Sequence, residues 1–417
     1  MNKINWTKKR LTDLGKFARG KSKHRPRNDK TLFKNGHYPL VQTGDIKKVN
    51  LYIQKSEEFY NEKGLEQSKL WPTDTLCITI AANIAETALL GQPMCFPDSI
   101  VGFNAFPNES NNLFVHYVFE LLKQQIQDNV NGSIQKNINL DFLENFELMV
   151  PPLYYQNKVS KLLKDIDFKI TNNNAISKEL ESIAKTIYDY WFLQFEFPDK
   201  DGKPYKSNGG KMVWNDQLKQ EIPEGWEVKY LSDIESNIVT GKTPSTKDKT
   251  NFGKDVPFIC IGDIRNHSFI NSTAISLSEK GANSQKKKFI PSGSLCVSCI
   301  ATPGLIGFTT KDSQTNQQIN TIVFNNIKNK YFLYFALFEY FNSNKNVKTG
   351  NTFSNMNKEE FSKIKIIYNK KLVDEYFNTV NSYFEKIKLC EFENEQLQSL
   401  RDFLLPMLMN GQVIIED

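Results

Sequence analysis

Few residues of this 417-residue chain have a type and spacing that could perform catalysis. The four histidines, His24, His37, His116 and His267, lack the spacing of a metal site such as HExxH. No Walker A loop and no GxGxxG loop occurs, so the usual phosphate-binding backbone of nucleotide sites is missing from the sequence. The sequence therefore predicts no catalytic, cofactor-binding or metal-binding residues in this chain.

Two short motifs resemble functional ones only superficially. Pro151-Pro152 lacks the preceding Asn or Asp and the following aromatic residue of an adenine methyltransferase motif, and it suits the first turn of a helix. Cys296 and Cys299 have CxxC spacing, but a strand over residues 294–301 would point them to opposite faces. We therefore expect buried structural cysteines there and no zinc.

The sequence contains an internal repeat, so the elements that would position any functional residue are expected to occur twice. Four blocks match in the same order at an offset of roughly 217 to 221 residues. They are residues 11–21 with 231–242, 38–46 with 256–264, 70–77 with 289–296, and 131–143 with 349–361. Such agreement is very unlikely by chance, so the two halves are predicted to share one fold.

Each half divides into a compact domain and a long helix. Apolar runs at 75–81 and 294–301 predict buried strands, and residues 115–127 and 331–342 predict helices. The predicted fold class is α+β, with two similar mixed α/β domains held apart by two long antiparallel helices that form a coiled coil. The predicted boundaries are a first domain at 1–150, a first helix at 151–194, a connector at 195–225, a second domain at 226–367 and a second helix at 368–413.

The long helices are predicted from apolar positions at alternating steps of three and four residues. The first seam comprises Val159, Leu162, Ile166, Lys169, Asn173, Ile176, Leu180, Ile183, Ile187 and Tyr190. The second comprises Val373, Tyr376, Val380, Tyr383, Ile387, Cys390, Asn394, Leu397, Arg401, Leu404 and Leu408. About 36 residues at 1.5 Å each give a helix of about 54 Å. The alternative is that each helix packs on its own domain. Asn173 and Asn394 either fix the register or face solvent.

The connector is rich in Gly, Pro, Lys and Asp but too aromatic for a passive linker. Its rings must be buried either on this chain or on a partner. The candidate partner-binding residues are Trp191, Phe192, Phe195, Phe197 and Trp214.

Charge and architecture together favour double-stranded DNA as the ligand. The net charge is +6, and residues 3–34 are strongly cationic. Two similar domains joined by long helices suit a periodic ligand, since successive major-groove faces recur about every 34 Å. Because the domains differ in sequence, the predicted site has two unlike halves around a spacer of unread bases.

Candidate DNA-binding residues are the basic and amide side chains of predicted loops. In the first half these are Arg19, Lys21, Lys23, Arg25, Arg27, Gln135, Lys136 and Asn137. In the second half they are Lys242, Lys247, Lys249, Lys286, Lys287, Lys288, Ser354 and Asn355. For any single lysine, plain solubility is the alternative. For the matched loops at 131–139 and 349–357, a structural turn is the alternative.

Several stretches resemble the specificity subunits of type I restriction-modification systems over essentially the whole chain. They are MVPPLYYQNKV at the first helix, FEFPDKDGKPYKSNGGKMV in the connector, EIPEGWEV opening the second half, and LRDFLLPMLMNGQV near the C-terminus. One departure is that the second helix follows IIYNKKLVDEYF without a Pro-Pro pair.

The resemblance implies a non-catalytic, DNA-binding subunit of a larger enzyme. The expected partners are two modification (methyltransferase) subunits that use S-adenosylmethionine and motor-nuclease restriction subunits that use ATP and magnesium. The helices and the connector would hold the modification subunits. A cytoplasmic location is expected, because the sequence has no signal peptide and no apolar run of about 18 residues. The alternatives are a methylation-only complex, a self-contained nuclease or methyltransferase, and a coiled-coil scaffold that does not bind DNA.

Overall fold

A computed structural model describes residues 4–81, 83–131, 138–344 and 355–415 of the chain. The chain divides into two compact units, the first formed by Met1–Asn172 with Gln396–Asp417 and the second by Asn173–Glu395. Each unit therefore contains one globular domain and a part of both long helices.

The first unit contains a five-stranded sheet, a four-stranded sheet and a two-stranded ribbon. The five-stranded sheet has the order Gly15–Arg19, Ile100–Ala105, Leu76–Thr79, Thr87–Leu90, Tyr52–Ile53. The four-stranded sheet has the order Glu58–Tyr60, Tyr38–Leu40, Met94–Cys95, Leu70–Trp71, and the ribbon pairs Thr7–Arg10 with Glu147–Val150. Its shorter helices are Leu11–Leu14, Lys30–Leu32 (a 3-10 turn), Thr43–Lys47, Glu62–Glu66, Asn112–Asn131 and Leu140–Glu144.

The second unit repeats this plan. Its five-stranded sheet has the order Ile238–Thr240, Ile319–Ile322, Leu295–Ser298, Ile306–Thr309, Phe269–Ile270. A three-stranded sheet has the order Ile275–Leu277, Phe252–Ile259, Gln314–Thr315, and two-stranded pairs join Glu227–Tyr230 with Lys365–Tyr368 and Met212–Asn215 with Gln220–Pro223. Its shorter helices are Leu231–Ile234, Ile261–Ile264, Glu279–Asn283, Lys330–Asn344 and Lys358–Ser362, with 3-10 turns at Lys249–Asn251, Lys286–Lys288 and Ile327–Asn329.

The internal repeat predicted from the sequence is confirmed by the sheet topology. In both five-stranded sheets the strand that is fifth in the order pairs in parallel, through Tyr52 with Leu89 in one unit and Phe269 with Phe308 in the other. The other pairings in these two sheets are antiparallel. The fold is mixed α/β with two repeated domains, as expected.

The central strands are buried on both faces, which explains their continuous apolar sequence. Leu76 and Ile78 belong to the core beneath the helix Asn112–Asn131, whereas Cys77, between them, packs into the core beneath the second sheet. In the second unit Leu295 likewise packs in one core and its neighbour Cys296 in another. This alternation is the two-residue period of a strand that is covered by layers on both sides.

The two long helices are Leu153–Tyr188, continued by a π-helical turn at Asp189–Leu193, and Lys370–Met409. In the first unit Arg401 contacts Asp167, and in the second unit Asn173 contacts Asn394 and Tyr376 donates to the Ala184 carbonyl. Residue numbers fall along one helix as they rise along the other, so the pairing is antiparallel, as predicted.

The predicted seam is correct for most of the second helix and partly wrong for the first. Val373, Tyr376, Val380, Ile387, Cys390 and Leu408 are buried as expected. On the first helix Leu162, Lys169, Ile176, Ile183 and Tyr190 are exposed, and the buried positions include Leu163, Ile170, Ala184 and Tyr188. The reason is that each helix also packs on the domain of each unit through which it passes, as the first helix does with Leu163 in the first unit and Tyr188 in the second. The buried face of the first helix is therefore wider than the two positions in seven that a coiled coil buries. It is also rotated relative to the predicted seam.

The second helix starts without a Pro-Pro pair, and Asn369 caps it. The Asn369 side-chain oxygen accepts a hydrogen bond from the Leu372 backbone N–H at 3.1 Å. A side-chain cap of this kind satisfies one of the free N–H groups at a helix start.

Candidate nucleic-acid interface

A Gly-Lys dipeptide follows the strand at one edge of the five-stranded sheet in each unit. A Cβ atom on Gly20 would lie 2.3 Å from the Phe96 carbonyl oxygen, and one on Gly241 would lie 2.1 Å from the Asn316 carbonyl oxygen. No side chain fits such a distance. Glycine is therefore required at both places because the backbone presses against a neighbouring loop.

The lysine of each dipeptide is held by equivalent contacts. The Lys21 N–H donates to the Phe96 carbonyl at 3.2 Å, and Ser68 Oγ donates to the Lys21 carbonyl at 2.9 Å. In the second unit the Lys242 N–H donates to the Thr315 carbonyl at 2.9 Å, and Gln285 Nε2 donates to the Lys242 carbonyl at 2.7 Å. Both lysine side chains are exposed on this fixed backbone.

A second duplicated feature was not found in the sequence. Asp29 accepts from the Thr31 N–H at 2.9 Å and Asp248 accepts from the Thr250 N–H at 3.0 Å. Hydrogen bonds from the Thr31 backbone and side chain lower the pKa of Asp29 to about 2. Those from the Thr250 side chain and from Lys280 lower the pKa of Asp248 to about 2.

These turns place Lys30 and Lys249, both exposed, at matching positions. The signal was available in the sequence, since Asp-Lys-Thr occurs at 29–31 and 248–250 and Glu-Lys-Gly at 62–64 and 279–281. Lys249 was predicted as a candidate, whereas its counterpart Lys30 was missed.

The other basic candidates of the first domain differ in how free they are. Arg19, at the end of its strand, and Lys23 are exposed. Arg25 Nη1 donates to the carbonyls of Ser22 at 2.6 Å and His24 at 2.8 Å, so much of its guanidinium supports the loop. Arg27 Nη2 donates to both carboxylate oxygens of Asp98, at 2.8 and 3.0 Å.

In the second domain Lys247, Lys286 and Lys287 are exposed. Lys288 is half-buried, and its Nζ donates to the Thr240 carbonyl at 2.8 Å, directly before Gly241. Lys288 therefore supports the Gly241-Lys242 backbone.

The matched loops at 131–139 and 349–357 are only partly visible. Gln135, Lys136, Asn137 and Ser354 lie outside the described residues. Asn355 is exposed, and its backbone pairs with Ile300.

The aromatic residues of the connector are largely covered by the second unit itself. Phe192 and Phe195 are buried in its core, and Trp191 and Phe197 pack against that core. Trp214, on the hairpin strand Met212–Asn215, is 59% exposed. Of the five predicted partner-binding residues, Trp214 is the one that is exposed, whereas Trp191 and Phe197 are half-buried.

Within the described ranges no three His, Cys, Asp or Glu residues come together in a way that could hold a metal ion. Burial raises the pKa of the Cys296 thiol to about 12 and that of Cys299 to about 11. No helix found in those ranges is long and apolar enough to cross a membrane.

Two repeats of one mixed α/β domain, each with a lysine fixed at the same place, define a duplicated recognition protein. Residues 3–182 and 223–371 match the family described as type I restriction modification DNA specificity domain. The chain belongs to this family, which confirms the resemblance to specificity subunits of type I restriction-modification systems.

Two relatives bear names of the same kind. The HindI specificity subunit of Haemophilus influenzae is 35% identical over 326 residues, which cover 66% of this chain and 71% of the relative. The MjaIX specificity subunit of Methanocaldococcus jannaschii is 26% identical over 432 residues, covering 99% of this chain and 94% of the relative. The crystal structure of an S subunit from M. genitalium matches with a TM-score of 0.62 at 16% identity, over 100% of this chain and 98% of that one, which supports the fold.

Proposed function

We propose that this chain recognises double-stranded DNA for a type I restriction-modification complex, each domain contacting one half of a bipartite site. The observation that carries the proposal is the duplicated Gly-Lys turn, in which Lys21 and Lys242 are fixed by equivalent contacts while their side chains remain exposed. Lysines on a fixed backbone are suited to phosphate contacts, which set the register of a protein on the duplex.

The two half-sites are unlike because the loops beyond the shared lysines differ. Between Gly-Lys and Asp-Lys-Thr the first domain has residues 22–28, with two arginines, and the second has the shorter segment 243–247, with none. Base edges are read by side chains of such loops, so the recognised sequence is asymmetric.

Catalysis belongs to partner subunits in this proposal. The modification subunits would supply S-adenosylmethionine-dependent methylation of adenine, and restriction subunits would supply ATP- and magnesium-dependent translocation and cleavage, in the cytoplasm. The sequence of this chain has no nucleotide-binding loop, and its CxxC cysteines lie in separate cores.

The long helices and the connector are proposed to dock the modification subunits. Large apolar side chains are exposed on the second long helix within each unit, Leu389 and Phe392 in the second unit and Leu400 and Phe403 in the first. Exposed apolar side chains that are grouped on one surface are typical of protein-protein interaction sites.

Replacing Leu389 and Phe392 together with Asp should abolish co-purification with the modification subunit, because charges would be buried in an apolar contact. Trp214→Ala should weaken it by roughly tenfold, as expected for an exposed aromatic anchor. Lys371→Asp, on the same helix, is the control. Unchanged co-purification of the apolar variants would contradict the docking proposal.

The test of the function is methylome sequencing at single-molecule level in source cells with and without this gene. Loss of one bipartite, asymmetric motif of methylated adenines on deletion, and its return on complementation, is the expected result. An unchanged methylome in cells that express the modification subunit would refute the proposal. Methylation by the purified chain with S-adenosylmethionine alone would instead make it a self-contained enzyme.

A further inference from the structure

Arginine is scarce in this chain and concentrated in one region. Six of the 53 basic residues are arginines, and four of them lie between residues 10 and 27. Arg401 is bound to the buried Asp167, and Arg25 bonds carbonyls of its own loop. Arginine differs from lysine by presenting a planar fork of donors that matches two acceptors at once. Arg27 is an exposed arginine in this basic region.

Arg27 is held by one of its nitrogens and open at the others. Nη2 donates to Asp98 Oδ1 at 2.8 Å and Oδ2 at 3.0 Å, and both side chains are about half exposed. Among the described residues Arg27 has no other hydrogen bond. The two oxygens of one carboxylate share a single N–H of Nη2, so the second Nη2 hydrogen and the neighbouring Nε or Nη1 still form one edge of two donors for a ligand.

The carboxylate that holds Arg27 is itself on a fixed turn. Asp98 follows Phe96 and Pro97, whose carbonyl oxygens press against Gly20, and the Ile100 N–H donates to the Pro97 carbonyl at 3.1 Å. The same Phe96 carbonyl accepts the Lys21 N–H. Lys21 and the partner of Arg27 are therefore anchored to one turn.

The loop that carries Arg27 is also fixed. The His24 N–H donates to Gln67 Oε1 at 3.1 Å, and the His24 ring contacts Asp29 at 2.8 Å. The Asp29 N–H in turn donates to the Pro26 carbonyl at 3.2 Å. A side chain held at both its backbone and its tip loses less freedom on binding, so more of each new contact appears as affinity.

We propose that Arg27, positioned by Asp98, reads a guanine in the major groove of the half-site contacted by the first domain, beside a phosphate contacted by Lys21. The inference rests on the proposed function and deepens it. Guanine presents O6 and N7 as two adjacent acceptors, and a bidentate arginine is their commonest partner. The second domain, with no arginine between Lys242 and Asp248, does not use this contact.

The test uses the full chain and duplexes carrying the motif found by methylome sequencing. Affinities are measured for the wild type and for Arg27→Lys, Arg27→Ala and Asp98→Ala, with each guanine of the site replaced in turn by 7-deazaguanine, which lacks the N7 acceptor. Arg10→Ala removes an exposed arginine at the end of the strand Thr7–Arg10 and is the matched control. Circular dichroism and the melting temperature establish that each variant is folded.

The wild type should discriminate against 7-deazaguanine at one position of one half-site. Arg27→Ala and Arg27→Lys should lose roughly 5- to 150-fold of discrimination at that base pair and become indifferent to the modified base. Arg27→Lys should keep the salt dependence, because its charge is unchanged. Asp98→Ala should lose part of the discrimination, and Arg10→Ala none.

Other results would overturn the inference. If Arg27→Ala weakens binding to all duplexes equally and lowers the slope of log K against log salt by about one, Arg27 is a phosphate contact. Wild-type discrimination in Arg27→Lys would exclude bidentate reading. Absence of sequence discrimination in the wild type would overturn the proposed function as well, so the two failures are distinguishable.

Discussion

At the scale of single residues, burial shifts the pKa of two groups so that the stability of the two units depends on pH in opposite directions. His116 lies in the core of the first unit with its Nδ1 2.9 Å from Thr87 Oγ1, and burial lowers the pKa of its imidazole to about 3. Glu391, in the second unit, accepts from the N–H groups of Ser268 at 3.0 Å and Phe269 at 2.9 Å. Burial raises the pKa of Glu391 to about 7 in spite of these hydrogen bonds.

The first unit is expected to lose stability in mild acid. Below pH 6.5 the unfolded chain protonates His116 and the native protein does not, so the free energy of unfolding falls as pH decreases towards 3. The slope is about 1.4 kcal/mol per pH unit, or about 2 kcal/mol between pH 6.5 and 5. Hydrogen exchange of the amides in this unit measures the free energy of unfolding at each pH. His116→Gln should remove its dependence on pH in this range. A wild-type slope retained in that variant would assign the effect to another group.

The second unit is expected to behave in the opposite direction over part of the same range. Between pH 4.5 and 7 native Glu391 keeps a proton that the unfolded chain has lost, so stability falls as pH rises through this window and is constant above it. The nearby carboxylate of Glu181, which accepts from Tyr334, adds to the raised pKa. Glu391→Gln should flatten the exchange-derived stability of this unit. An equal pH slope in wild type and variant would contradict the assignment.

Lys21 and Lys242 are predicted to act as phosphate contacts of equal kind. Lys21→Ala and Lys242→Ala should each lower the magnitude of the slope of log K against log salt by about one, and the double variant by about two. The loss should be uniform across DNA sequences. Lys371→Ala, whose side chain is 88% exposed on the second long helix, is the control. A slope unchanged in the double variant would remove these lysines from the interface.

At the scale of elements, buried polar pairs fix how the long helices meet. In the second unit Asn173 Nδ2 donates to Asn394 Oδ1 at 3.0 Å, and Asn394 Nδ2 donates to Asn174 Oδ1 at 2.8 Å. Both Asn173 and Asn394 are buried and paired with each other, so the alternative of solvent exposure is wrong, and their role in fixing the register stays a prediction. In the first unit Asp167 accepts from both Tyr117 and Arg401, so one carboxylate joins two helices to each other and to the domain.

Removing Arg401 should destabilise the first unit strongly. Asp167 is 1% exposed, and Arg401→Met would leave its charge buried with the Tyr117 hydroxyl as its one side-chain partner among the described residues. The expected loss is about 3–5 kcal/mol. The double variant Asp167→Asn, Arg401→Met should recover most of it, because no uncompensated charge remains. The double-mutant cycle is obtained from denaturant unfolding of the wild type and the three variants, followed by hydrogen exchange of the amides in the first unit. Additive losses would show that the two residues are not coupled.

At the scale of the whole molecule, duplication of one domain allows two sequence elements to be recognised with one architecture. The backbone contacts of Lys21 and Lys242 are the same in both domains. The loops between Gly-Lys and Asp-Lys-Thr, residues 22–28 and 243–247, differ in length and sequence. This arrangement separates positioning from discrimination, which are distinct tasks in DNA recognition.

Exchange of the inserted loops should therefore change one half of the methylated motif. Replacing residues 22–28 with the sequence of 243–247 keeps Gly-Lys on one side and Asp-Lys-Thr on the other. The methylome of cells with this variant should have a new first half and an unchanged second half. The reverse exchange should alter only the second half, and changes in both halves from one graft would contradict the independence of the domains.

The sequence by itself determined the repeat, the two long helices, the apolar central strands and the family. Each of these depends on local periodicity or on matches at a fixed offset, which a linear sequence retains. The basic segment of the first domain was also visible as a run of charge.

Only the tertiary structure decided which of these residues are free to bind. It directed Arg25 and Lys288 to backbone carbonyls, joined Arg27 to Asp98 across 71 residues, and buried Phe192 and Phe195 in the second unit. It also turned the first helix, so that Leu163 rather than Leu162 is buried. The physical reason is that hydrogen-bond partners and packing neighbours from distant segments meet only in the fold, and no local pattern records them.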